Sequence, residues 1–256
     1  MKKILSIIIV LIIIAYPAFN GYGLLFSENT AFSTDTDAQI LSGLAQGEVA
    51  NVQKKISELR QQAEISPVDE VLKKLDSGEI TYRNLFKDVC ICGDSLMNGL
   101  EAYDILNRNN LITQVSASLY HLSNNKSKII SMQPKVLILH YGLNMLENSS
   151  SQPARFIRFY TELLTGLKQE LPDTRIIVSG ILPVDTTKAR AARFKRIDEY
   201  NKALEDMCLV VGVEFLDNSG IIENGSEMYA YDGIHLDGEF YEKHWLRSIV
   251  KQKEIF

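Results

Sequence analysis

Val136-Leu137-Ile138-Leu139-His140, followed at once by Tyr141-Gly142-Leu143-Asn144, is the stretch on which the fold turns. Four consecutive aliphatic residues show no alternation between a wet and a dry face. As a strand, the run is therefore buried on both sides, as in a parallel sheet covered by helices. Working outward, apolar runs recur at Val89–Cys92 (closed by Gly93) and Ile176–Val178, and further short strand candidates lie at Ile112–Val115 and Val213–Leu216. Between them the apolar residues fall at helical spacing over Leu96–Leu106, Leu119–Met132, Pro153–Leu171 and Ala189–Met207, and a final amphipathic stretch covers Gly238–Lys251. Five strands separated by helices predict an α/β fold: a three-layer α/β/α sandwich around a central parallel sheet of about five strands.

The 256 residues carry a net charge of −5 and are 46% hydrophobic. That is enough apolar material for a sizeable core, which excludes wholesale disorder, and 15 Gly and 6 Pro exclude a collagen-like chain. The acidic balance argues against nucleic acid as a partner. The apolar residues are unevenly placed, with 19 of them in Met1–Phe26. There Lys2 and Lys3 precede an apolar run from Ile4 to Tyr16 whose apolar character continues past Pro17 and Asn20 to Phe26. Its length suffices to span a bilayer, and the lysines would stay inside, leaving the body outside the cytoplasmic membrane. Residues 1–26 thus read as a single-pass anchor, or alternatively as a signal peptide cleaved after Gly23 with the body secreted. Residues 27–79 read as a polar linker and helical spacer, in which Pro67–Leu75 is either part of a stalk or packed on the body. Residues 80–256 form the main domain. Cys90, Cys92 and Cys208 show neither bridge nor metal-ligand spacing and read as buried thiols; no metal or cofactor is expected.

In a parallel sheet of this kind ligands bind at the carboxyl ends of the strands. The residues just past each apolar run are Gly93-Asp94-Ser95-Leu96, Ser116-Ala117-Ser118, Tyr141-Gly142-Leu143-Asn144 and, before the last helix, Asp232-Gly233-Ile234-His235. Together they supply a hydroxyl, an imidazole, a carboxylate and amide donors, the inventory of an acyl-transfer site. His121, His140 and His244 read as structural, with His140 a secondary candidate for lining the pocket. The basic group Lys188, Arg190, Arg193, Lys195 and Arg196 reads as a solvated helix face, the sharper alternative being contact with an anionic envelope polymer.

Gly93-Asp94-Ser95-Leu96, Gly142-Leu143-Asn144 and Asp232-Gly233-Ile234-His235, in that order and each at a strand end, resemble the three signature blocks of the SGNH, or GDSL, hydrolases. The resemblance covers Val89 to about Ile249 and implies an SGNH/flavodoxin-like sheet. It also implies that Ser95 is the nucleophile, His235 the general base and Asp232 its orienting carboxylate. The oxyanion donors it implies are the Ser95 amide, an amide at or near Ser116, and the Asn144 side chain. Two departures stand out. Ser or Ala replaces the block-two glycine, and Met145 follows Asn144 where the family has aspartate. Such a chain is expected to be an exported serine ester hydrolase. Its position beside the membrane, and the lack of a large apolar lid insertion, favour short O-acyl esters such as acetates of a cell-envelope glycan. An O-acyltransferase working with a membrane O-acyltransferase partner is the first alternative, and a catalytically silent glycan-binding subunit the second.

Overall fold

A computed structural model describes residues 66–148 and 152–255, together with residues 51, 52, 54 and 55. The apolar segment Ile4–Phe26, and with it the expected anchor or signal helix, lies outside the described residues. Among the described residues no helix is long and apolar enough to cross a membrane.

The compact unit Ile65–Phe256 is built on five parallel strands, β1 (Val89–Gly93), β2 (Leu111–Thr113), β3 (Val136–His140), β4 (Arg175–Ser179) and β5 (Glu214–Leu216). Their order is β2-β1-β3-β4-β5. Every residue of β1 and β3 is buried, as the continuous apolar runs require. In register, Gly93 stands opposite both Thr113 and His140, His140 opposite Ser179, and Ser179 opposite Leu216. The carboxyl ends are thus flush, and their loops emerge along one edge. The chain order reverses between β1 and β3, so the loops after these two strands part from each other and leave a crevice between them.

The longer helices are α1 (Pro67–Asp76), α2 (Leu119–Met132), α3 (Gln152–Glu170) and α4 (Ile197–Val211). The C-terminal helical stretch opens with Gly238–Phe240, winds as a π-helix over Tyr241–Leu246 and ends in α5 (Arg247–Lys253). Helix α1 starts in the way its sequence asks. The Ser66 hydroxyl accepts the Asp69 amide, and Pro67 occupies a first-turn position where no amide is needed. Its Leu72 is buried, and Asp76 takes a bidentate pair from Arg247 at 2.6 and 3.0 Å. The piece over Pro67–Asp76 therefore packs on the body, which settles the choice between stalk and packed helix for that piece.

Two stretches depart from the helices expected. Over Leu96–Leu106 only one helical turn forms, Gly99–Ala102. The amides of Met97, Gly99, Leu100 and Glu101 each bond three residues back, and Asp104 turns left-handed at φ 56°. This tight winding lets Leu96, Met97 and Leu100 all bury their side chains in the core, which one face of a regular helix would not do at adjacent positions 96 and 97. Over Ala189–Met207 a 3₁₀ segment, Ala192–Arg196, precedes α4. The three cysteines are buried and free, with the Cys90 and Cys92 sulfurs 3.8 Å apart on one face of β1.

Candidate active site

The turn after β1 places Ser95. Asp94, buried, accepts the Leu96 amide on Oδ1 at 3.1 Å and closes the turn, while Ser95 stays half-buried at the edge of the sheet. The loop before the last helix, which meets the β1 turn, is closed by a bridge between Tyr229 and Leu236, with the Ala230 amide on His235 O and the Asp237 amide on Met228 O. At its tip Asp232 Oδ1 accepts the amides of Ile234 (2.9 Å) and His235 (3.0 Å), leaving Oδ2 for His235 Nδ1 at 2.6 Å. On the far side of the imidazole, Nε2 lies 3.1 Å from Ser95 Oγ. An ionised carboxylate can only accept, so Nδ1 carries the ring proton and Nε2 offers its lone pair to the serine hydroxyl. Burial pushes the Asp232 carboxyl up, but the His235 ring and the two amides together outweigh it and hold the group below the usual carboxylate range. Ser95, His235 and Asp232, 140 positions apart between the first two, are thus one hydrogen-bonded chain.

The donors implied for an oxyanion lie in the loops after β1, β2 and β3. Ser116 adopts the left-handed conformation, φ 56°, that the family glycine would take without strain. The Ala117 amide is spent on Gln114 O at 3.2 Å, whereas the amides of Ser95 and Ser116 make no hydrogen bond among the described residues. Of the two block-two positions, Ser116 is the one with a free amide. Asn144 is drawn to the same loop. Its Nδ2 donates to Ala117 O at 3.0 Å and, at 3.4 Å, to Asp94 Oδ2. An oxyanion would have to compete with these acceptors for its protons. Met145, in the place of the family aspartate, accepts the Leu119 amide on its sulfur at 3.5 Å and so ties this loop to the start of α2.

Asp94 is the residue whose environment the sequence did not reveal. It closes the turn after β1, and burial also pushes its carboxyl up to about 6, against the opposing pull of the Leu96 amide and the charge of His235. The folded state therefore holds this proton more tightly than the unfolded chain, where the group titrates near about 3.9. Stability from this group is full below that value and falls as pH rises toward 6, by up to about 3 kcal/mol. Between pH 4 and pH 6.5, urea unfolding should show the native chain losing stability relative to Asp94→Asn. Parallel slopes for the two would rule it out.

The other histidines are structural. His140 is fully buried, bonded to Ser179 Oγ at 3.1 Å and edge-on to Trp245, and burial pulls it down to about 4. It lines no pocket. His121 meets the Tyr141 hydroxyl at 2.9 Å, and His244 stacks on Phe240. In the basic group, Lys188 lies 3.5 Å from the buried Asp185 carboxylate and Arg196 pairs with Glu199 at 2.8 Å. Among the described residues no cluster of His, Cys, Asp and Glu is placed to hold a metal.

The GDSL-like Lipase/Acylhydrolase family matches residues 91–243, a span that contains Ser95, Ser116, Asn144, Asp232 and His235. Among solved structures, a GDSL-like lipase from Bacteroides thetaiotaomicron superposes with a TM-score of 0.51 at 12% identity, covering 72% of this chain and 95% of its own. A protein described as a GDSL-like lipase from Parabacteroides merdae gives 0.52 at 15% identity, covering 66% and 95%. At such identities the likeness is one of fold. No curated protein matches the chain. With its signature blocks at the strand ends and the family match across them, the chain belongs to the GDSL-like lipase/acylhydrolase family.

Proposed function

We propose that the chain is an exported serine esterase, held at the cytoplasmic membrane by residues 1–26, that removes short acyl groups such as acetate from hydroxyls of a cell-envelope glycan. The observation that carries this reading is the chain Ser95 Oγ–His235 Nε2 and His235 Nδ1–Asp232 Oδ2, at 3.1 and 2.6 Å. A serine hydroxyl attacks an ester only if its proton has somewhere to go. Here it passes to Nε2 as Oγ bonds to the carbonyl carbon, and Asp232 stabilises the imidazolium without taking the proton. The negative oxygen of the tetrahedral intermediate is held by the amides of Ser95 and Ser116, joined by Asn144 when its amide turns from Ala117 O. Collapse breaks the bond to the alcohol oxygen, which leaves with the proton from Nε2. Water then repeats the sequence on the acyl-enzyme, and acetate is released.

The side chain of His235 is 47% exposed, so water can reach the base directly. Incubating the full chain with a fluorophosphonate and an acetylated xylo-oligosaccharide tests the reading. The expected result is a phosphonyl group on the tryptic peptide containing Ser95 and free acetate in the supernatant, both lost in Ser95→Ala. Acetyl groups appearing on an added acceptor glycan in place of free acetate would make the chain a transferase instead.

A further inference from the structure

Between the start of α2, the loop after β3 and the outer face of α3 lies a cavity of about 600 Å³ that the catalytic scheme does not use, although Asn144 borders it. Its volume is within the range of small-molecule sites, roughly 300–1,000 Å³. Tyr120 stands over one side with 62% of its surface exposed, its ring 5.1 Å from that of Phe159. Arg155, Arg158, Glu147 and Glu162 also line the cavity. None of these four side chains makes an ion pair among the described residues.

We propose that this cavity is a sugar subsite, which takes a neutral ring of the glycan on the alcohol side of the scissile ester. The inference rests on the esterase reading for its place in the reaction. Its chemistry stands on the lining alone. Six of the ten lining side chains are charged, hydroxyl or amide groups apart from the tyrosine, which excludes the aliphatic tail of a fatty acyl group. Two guanidinium groups balanced by two carboxylates give no net preference for an anion or a cation. A polyol suits both sets at once. Guanidinium groups only donate, carboxylates only accept, and each neighbouring pair of ring hydroxyls can do both. The exposed face of Tyr120 carries the negative side of its quadrupole, against which the C–H face of a pyranose packs. Phe159 packs against the tyrosine ring, centroids 5.1 Å apart with the planes tilted by 47°, so less side-chain freedom is lost on stacking.

Titration calorimetry on the full chain in detergent, with xylohexaose, N-acetylglucosamine hexamer and hexagalacturonate, tests this directly and requires no turnover. At least one neutral hexamer is expected to bind, with its Kd raised about tenfold in Tyr120→Ala and again in Arg155→Met. Both positions are exposed, so a folding defect in both is not expected. Near-UV circular dichroism checks this. Absence of binding by both neutral sugars, unchanged Kd in the variants, or tighter binding of hexagalacturonate than of either neutral sugar would each overturn the proposal. The two readings fail separately. Sugar binding without Ser95-dependent turnover faults the esterase alone, and Ser95-dependent turnover of 4-nitrophenyl acetate without sugar binding faults the subsite alone.

Discussion

Replacing Ser95 by alanine is expected to lower kcat/KM on 4-nitrophenyl acetate by about 10⁴-fold or more, with the fold intact. The substitution removes one half-buried oxygen that bonds only to the His235 ring, so it opens no cavity and orphans no buried donor. What it removes is the atom that forms the acyl bond. His235→Ala should cost a comparable factor, because the hydroxyl without its base is a poor nucleophile at neutral pH. Residues that act as one unit fail together, so Ser95→Ala/His235→Ala should be little worse than either single change. Stopped-time assays on the three variants, with melting curves to confirm folding, check this. Losses that multiply, or a single variant within about tenfold of the native rate, would place the chemistry on other residues.

Why this site was legible in the sequence, and its surroundings less so, follows from what each depends on. The strands at Val89 and Val136 announce themselves because burial on both faces forces unbroken apolar runs, and a parallel sheet then brings the residues after them to one edge. Asp232 and His235 lie three apart, and local amide bonds to Asp232 Oδ1 fold that loop back on itself. Ser116 could be fixed only to within a residue, since an amide's availability depends on backbone conformation. It is the left-handed φ at Ser116 that leaves its amide free while Ala117's is spent. The helix expected over Leu96–Leu106 failed for a tertiary reason, the need to bury Leu96 and Met97 side by side. The cavity under Tyr120 had no sequence signal at all. Its arginines lie on the solvent side of α3 and gain meaning only because α2 and the loop after β3 stand opposite them.

Gly233→Ala should damage both stability and activity although Gly233 is not itself in the hydrogen-bonded chain of Ser95, His235 and Asp232. Gly233 lies between Asp232 and Ile234 with φ 70°, a conformation that costs an L-residue about 1–2 kcal/mol. Its carbonyl accepts the Asp185 amide at 2.8 Å, so the loop is pressed against the segment after β4. A methyl group here would stand 2.9 Å from Asp185 O and 3.0 Å from the Ala189 amide nitrogen, both backbone atoms that cannot swing aside. The Asp185 side chain that shapes that segment is itself buried and bonded to Thr187, which leaves the segment little room to yield. Overpacking adds about 1–3 kcal/mol, so the variant should lose about 2–5 kcal/mol of stability in urea unfolding. The loop must move outward to accommodate the methyl group, carrying His235 away from Ser95, and a displacement near 1 Å costs about 10²-fold in rate. The test is the combination. Stability should fall together with kcat/KM, whereas Asp237→Ala, which removes only the cap of the following helix at the Phe240 amide, should cost about 1 kcal/mol. A Gly233→Ala enzyme as stable and as fast as the native chain would mean that the Asp185 contact does not hold the histidine loop in place.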